Sequence, residues 1–182
     1  MTKVSKTQFA VLGMLAIKPM SGYEIKQMME QSTNHFWRES NGQLYPTLSR
    51  LTEDEFVTFE EEMVGEKQRK IYTITKSGMK TLEAWLQNEV EHYPERNELL
   101  LKLFFGKNVP VAVSIQHIKN WAEECKDRLA FYHEVANEIE ATRGEMPHAI
   151  YYLLTVNAGI KSAEAEIVWC EDSIRMLKQY DK

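Results

Sequence analysis

Apolar positions in the second half of the chain recur at steps of four and three residues. Val111, Ile115, Ile118, Ala122, Cys125, Leu129, Tyr132, Ala136 and Ile139 form one series. Ala149, Leu153, Val156, Ile160, Ala163, Ile167, Cys170, Ile174 and Leu177 form a second. Sustained 3-4 alternation lays one apolar seam along an α-helix, so each series predicts a helix of about 30 residues, ~45 Å long. Gly144 and Pro147 stand between them, a helix stop followed by a helix start, which allows an antiparallel hairpin. Trp121, Phe131 and Trp169 lie beside the seams and widen them. Two helices cannot cover that much apolar surface alone. A second subunit is therefore expected to take part of it, with Ile118, Cys125, Leu129, Ile160, Ile167, Ile174 and Leu177 as dimer contacts. The alternative is a bundle closed within one chain.

The first half has another grammar. Phe9, Leu12, Leu15 and Ala16 give a first helix an apolar face, ending before Pro19. Ser21-Gly22-Tyr23-Glu24 has the form of a capping box, in which Ser caps the helix and Glu reaches back, and Ile25, Met28 and Met29 follow it. A third helix is predicted from about Asn41 to Glu53, with Asn41 as cap and Pro46 in or near the first turn. The period then changes. Residues 56–62 and 69–74 are rich in β-formers, and Val64 to Gln68 reads as their hairpin loop. Thr75 then caps a helix carrying Leu82, Trp85 and Leu86. Helix, helix, helix, hairpin is the layout of a winged helix-turn-helix. The expected fold class is thus mainly α (α+β). A winged helix-turn-helix domain over residues 1–88 would precede an all-helical dimerisation domain over 89–182.

Composition adds constraints. The chain has 182 residues, 43% hydrophobic and 27% charged, with no apolar stretch near the ~20 residues of a membrane span and no recognisable signal peptide. Its two cysteines, Cys125 and Cys170, provide no disulfide framework, which leads to an expected cytoplasmic location. Formal net charge is −5, an argument against a protein coated in positive charge for nucleic acid. The distribution changes that reading. Residues 1–78 hold ten basic and ten acidic side chains, and residues 79–182 hold twelve and seventeen. The excess acid lies entirely in the helical half.

The third predicted helix would enter the DNA major groove and the hairpin would lie on the backbone or minor groove. Leu44, Leu48 and Leu51 must face the core. Gln43, Thr47 and Arg50 share the same spacing and form a separate stripe suited to adenine, a thymine methyl, and guanine or phosphate. Tyr45 and Ser49 border that stripe and could bond phosphates. Lys67, Arg69 and Lys70 gather on the hairpin tip and returning strand, with Lys26 and Lys76 as further phosphate contacts. The bland readings stay open: a solvated helix face, and a charge-laced hairpin whose Glu60, Glu61 and Glu62 neutralise or restrain its own cations.

Four blocks carry a resemblance: Ala10-Val11-Leu12-Gly13-Met14-Leu15, Ser21-Gly22-Tyr23-Glu24-Ile25, residues 42–51 with Leu44-Tyr45-Pro46, and residues 69–78 with Lys70-Ile71-Tyr72-Thr73-Ile74-Thr75. In order and spacing, over about residues 9–86, they resemble the phenolic acid decarboxylase repressor (PadR) family. The length and helical second half are similar to its subgroup with a long C-terminal helical domain. The resemblance implies a homodimeric transcription factor, usually a repressor, on a palindromic operator in double-stranded DNA. It also implies release, in some members, by a phenolic acid or another hydrophobic compound. One departure is Asp54-Glu55-Phe56, where such sequences often have a glycine before the wing, so the turn geometry there is the point to test.

No P-loop, dinucleotide-type glycine turn, Gly-x-Ser-x-Gly or His-Glu-x-x-His motif is present, and His35, His92, His117, His133 and His148 are scattered. No enzyme activity, cofactor or metal is expected. Cys125 and Cys170 read as buried thiols, with a redox switch open if the seams bring them together. An effector pocket could draw on Trp85, Tyr93, Phe104, Phe105, Trp121, Tyr151, Tyr152 or Trp169, although packing accounts for most aromatics of this kind. The competing function is a winged-helix and coiled-coil adaptor that binds protein rather than DNA.

Overall fold

The structure is a computed structural model that describes residues 6–37, 42–64, 67–91, 96–144 and 146–180, apart from the side chains of Val64 and Lys67. The chain divides into two compact units, Met1–His92 and Tyr93–Lys182.

The first unit runs α1 (Thr7–Ile17), β1 (Met20–Ser21), α2 (Gly22–Gln31), a 3-10 turn (Thr33–His35), α3 (Leu44–Glu53), β2 (Val57–Val64), β3 (Lys67–Ile74) and α4 (Lys76–Leu86). Each boundary has a local cause. Ser21 and Glu24 form the full capping box at the start of α2: the Ser21 hydroxyl accepts from the Glu24 amide, and Glu24 Oε2 accepts from the Ser21 amide at 2.8 Å. Pro46 is the third residue of α3, inside the first turn, where a missing N–H costs little. The predicted cap Asn41 lies outside the described residues. Thr75 caps α4 by accepting from the Gly78 amide at 3.0 Å. It also donates to the Glu55 carbonyl at 2.9 Å, which ties the wing to α4.

The sheet has order β1-β3-β2, all antiparallel, with Phe59 opposite Tyr72 and Glu62 opposite Arg69. The two-residue β1, pairing Met20 with Tyr72, went unread in the sequence because it is too short for a period-2 signal. Apolar faces converge on one core: Val11, Leu12 and Leu15 of α1, Ile25 of α2, Leu48 and Leu51 of α3, Val57 of β2 and Leu82 of α4, all below a tenth exposed. Truncating a residue such as Leu48, fully buried here, to alanine costs about 2–5 kcal/mol. Phe9 and Trp85 stack at 4.6 Å, joining α1 to α4. At the departure from the family pattern, Glu55 has φ 59°, the left-handed conformation that glycine adopts freely.

The second unit contains α5 (Glu98–Phe104), a 3-10 turn (Gly106–Asn108), α6 (Val111–Ala141) and α7 (Ala149–Tyr180). The long helices of 31 and 32 residues follow the two apolar series. They pack antiparallel: Ile118 near the start of α6 shares a cluster with Cys170 and Ile174 near the end of α7, and Leu99 and Leu103 of α5 close over it. This corrects three of the seven expected dimer contacts, Ile118, Cys125 and Ile160, while the other four keep part of their surface exposed. Ile118 is 1% exposed, Cys125 0% and Ile160 9% within a single protomer, and Leu129, Ile167, Ile174 and Leu177 are half-buried there. The seams therefore meet each other, as in the bundle alternative. Periodicity predicts a seam but does not specify which helix fills it. The apolar surface left uncovered lies elsewhere, on Leu100, Leu101, Phe104 and Phe105 around α5 and on Trp169, Met176 and Tyr180 of α7. Among the described residues no helix is long and apolar enough to cross a membrane.

Candidate nucleic-acid interface

Helix α3 presents a different face from the one its spacing suggested. Thr47 is 5% exposed and belongs with Leu44, Leu48 and Leu51 on the core side. The apolar stripe of a packed helix is wider than an i, i+4, i+7 line and takes in the i+3 position. The outer face is Tyr45, Pro46, Ser49 and Arg50, with Gln43 exposed just before the helix. Arg50 is held lightly by Gln8 of α1, whose Oε1 accepts from Nη2 at 3.4 Å. The ring of Tyr45 lies over Gly22 at the start of α2: a Cβ there would stand 2.8 Å from Cε1. Glycine thus permits α2 and α3 to approach closely beneath an outward-facing tyrosine.

The wing stands beside this face. On one side of the hairpin Phe59 and Tyr72 pair across the strands at 5.8 Å, and Lys70 Nζ sits 4.0 Å over the Phe59 ring. Tyr72 reaches back to the core, and burial, with Tyr45 nearby, pushes its hydroxyl pKa up. On the other side Arg69 bridges Glu62 at 3.4 Å and Glu24 of α2 at 3.7 Å. Hydrogen bonds from the Ser21 hydroxyl and amide, aided by Arg69 and opposed by partial burial, hold the Glu24 carboxyl below the usual range. Gln68 donates to Glu61. Both described cations of β3 are exposed at their tips but engaged within the protein. Lys67 begins β3, but its side chain lies outside the described residues. Lys26 on α2 pairs with Glu30 at 3.6 Å, and Lys76 is exposed at the first position of α4.

The sequence reading missed a polar knot in the second unit. Glu166 of α7 accepts from Trp121 Nε1 at 2.8 Å, Arg128 Nη2 at 3.0 Å and Cys125 Sγ at 3.4 Å, all on Oε2, and from Ser162 on Oε1. Burial pushes Glu166 up, but Arg128 and the hydrogen bonds outweigh it and hold the carboxyl below its usual range. Burial pushes the Cys125 thiol up to about 11. Cys125 and Cys170 are both free and buried, so each is an inert thiol at neutral pH. The available signal was charge placement: Glu166 and Arg128 sit three residues from the seam positions Ala163 and Cys125. The second unit also has a cleft of about 480 Å³, with Leu103, Val109, Val111, Ser114 and Leu177 among its walls. None of the seven described candidate aromatics lines it; Phe104 and Tyr151 face outward, and Tyr93 lies outside the described residues.

Comparison with known proteins follows the two units. Residues 11–84 match the transcriptional regulator PadR-like family, and residues 95–178 match the virulence activator alpha C-terminal family. The negative transcriptional regulator PadR of Bacillus subtilis is 26% identical over 179 residues, covering 93% of this chain and 96% of that protein. The crystal structure of B. subtilis PadR in complex with operator DNA has a TM-score of 0.86 at 23% identity, covering 96% of this chain and 99% of that one. The same protein in complex with p-coumaric acid gives 0.78 at 23%, covering 94% and 98%.

Proposed function

We propose, for a chain that belongs to the PadR-like transcriptional regulators, that it represses transcription by binding a two-fold symmetric operator as a homodimer. The observation that carries this reading is the juxtaposition in the first unit of an exposed α3 face and a cation-bearing wing. Arg50 and Gln43 read base edges in the major groove, Tyr45 and Ser49 bond the flanking phosphates, and Lys70, Arg69 and Lys67 follow the backbone. Lys26 and Lys76 fix register. Thr47, buried, acts only by shaping the helix. The neutral first half makes non-specific affinity low and strongly dependent on low salt.

The uncovered apolar residues of α5 and α7 support association of two copies, which would set two heads on half-sites about one helical turn, ~34 Å, apart. The B. subtilis relative in complex with p-coumaric acid supports release by a small hydrophobic or phenolic compound. The cleft in the second unit has the size and apolar lining such a compound needs. The test is salt-titrated binding to DNA from upstream of the protein's own gene. Arg50→Ala should cost about 1–3 kcal/mol and relax preference at one base position. Lys70→Ala should weaken all sequences alike and flatten the salt slope by about 0.9. Binding by neither the parent nor the variants at low salt would return the adaptor reading.

A further inference from the structure

One contact in the first unit still without a role is the double grip on Arg69. Its Nη2 faces Glu62 Oε2 across the hairpin at 3.4 Å, and its Nη1 faces Glu24 Oε1 at 3.7 Å. An exposed ion pair usually gains little, because both side chains must be ordered to make it. Here one partner is ordered already. Glu24 Oε2 accepts from the Ser21 amide at 2.8 Å and from the Ser21 hydroxyl at 2.6 Å, so the capping box aims the remaining oxygen at the wing. Glu62 is likewise fixed in register opposite Arg69 by the β2–β3 ladder. The guanidinium is thus offered two preset carboxylate oxygens in place of the phosphate oxygens it would meet on a duplex.

Building on the DNA-binding reading, we propose that Glu24 and Glu62 are an internal competitor for phosphate, an autoinhibitory contact that withholds Arg69 from DNA. The wing must surrender two carboxylates before this cation can neutralise the backbone. The penalty falls alike on every duplex, and it lowers absolute affinity so that the free protein is not retained on random DNA. It also gives the capping box a second role, because the residue that starts α2 sets how strongly the wing holds its charge.

The test measures fluorescence anisotropy with a random-sequence 30-base-pair duplex and with the gene's own upstream DNA, at several salt concentrations. Glu24→Gln keeps a residue type that the capping box accepts, and Glu62→Gln lies outside the cap altogether, so folding and the ion pair can be separated by comparing melting curves. The double variant E24Q/E62Q should bind both duplexes about fivefold more tightly, with a salt slope steeper by up to ~0.9. Glu60→Gln is the one-charge control for Glu62→Gln on the same strand, outside the Arg69 pairs, and should gain less than about twofold. In an Arg69→Gln background the gain of E24Q/E62Q should disappear. A gain equal to that of E60Q, or one that survives without Arg69, overturns the competitor. If Arg50→Ala and Lys70→Ala behave as expected while E24Q/E62Q gains nothing, this inference alone fails. If no variant binds any duplex at low salt, the DNA-binding reading fails with it.

Discussion

Replacing Gly78 with alanine should detach the wing from its base. Gly78 is the third residue of α4, and a Cβ there would stand 2.1 Å from the Phe56 carbonyl oxygen and 3.0 Å from Ile74 Cγ1. The oxygen belongs to backbone and cannot rotate away, so α4 or the start of β2 must shift by roughly 1 Å, a form of overpacking that costs about 1–3 kcal/mol. The same oxygen accepts from the Thr75 amide at 3.0 Å and from the Thr75 hydroxyl at 3.2 Å. Stretching those bonds adds about 1 kcal/mol each. Alanine returns up to ~1 kcal/mol through helix propensity, leaving a net loss of roughly 2–4 kcal/mol. Gly13 is the internal control: it lies inside α1 with nothing within 4 Å of an added Cβ, so Gly13→Ala should stabilise by about 1 kcal/mol. Thermal melts followed by circular dichroism should lower the melting point of the first unit by more than about 10 °C in G78A and raise it by a few degrees in G13A. Hydrogen exchange over residues 71–86 should show the loss centred on the strand-to-helix junction. If G78A melts with or above G13A, the close approach is wrong and the wing is not anchored as described.

Three further outcomes follow from the same physical accounting. Glu55 holds φ 59° without being glycine, so Glu55→Gly should stabilise by up to about 1 kcal/mol in urea melts, and a loss of more than that would mean its side chain has a role not seen here. The depressed pKa of Glu166 means that the folded state favours the charged carboxylate: its contribution is complete above the ordinary value of 4.5 and fades as pH falls through the lowered one. Glu166→Gln should therefore lose about 1–2 kcal/mol at pH 7 and progressively less as the pH falls below 4.5, so a melting-point gap that did not narrow with acid would refute the ion-pair account. Cys125, fully buried with its thiol pushed up to about 11, should resist iodoacetamide at pH 8 until denaturant is added; stoichiometric labelling of the native chain by mass spectrometry would reopen a redox role.

Short-range chemistry was what the sequence displayed most clearly. The Ser21–Glu24 box, the Thr75 cap, the hairpin and both long helices all depend on residues within a few positions of each other. The misreadings arose where partners are distant. Thr47 was placed outward because three leucines define a line, whereas the core against α3 is broad enough to cover the adjacent position. Ile118, Cys125 and Ile160 were assigned to a partner subunit because a seam is visible in one helix while its complement is not. For Arg69 the hairpin's own glutamates are legible as restraints, whereas Glu24, forty-five residues earlier on α2, is not. Three of the four donors of the Glu166 knot lie 38 to 45 positions away. Local periodicity contains no term for that separation.

The internal closure of α6 on α7 has a consequence for how the protein responds to its own abundance. Had the seams been shared between subunits, separating two copies would have torn open a core and unfolded the arms. Since Ile118, Cys125 and Ile160 are already satisfied within one chain, a protomer of the proposed homodimer could leave its partner and remain folded. Subunit loss and unfolding then become separate transitions, the first set by concentration and the second by temperature. At low levels the population able to hold both half-sites would rise with the square of protomer concentration. On the proposed reading, cellular dosage would then be an input to operator occupancy.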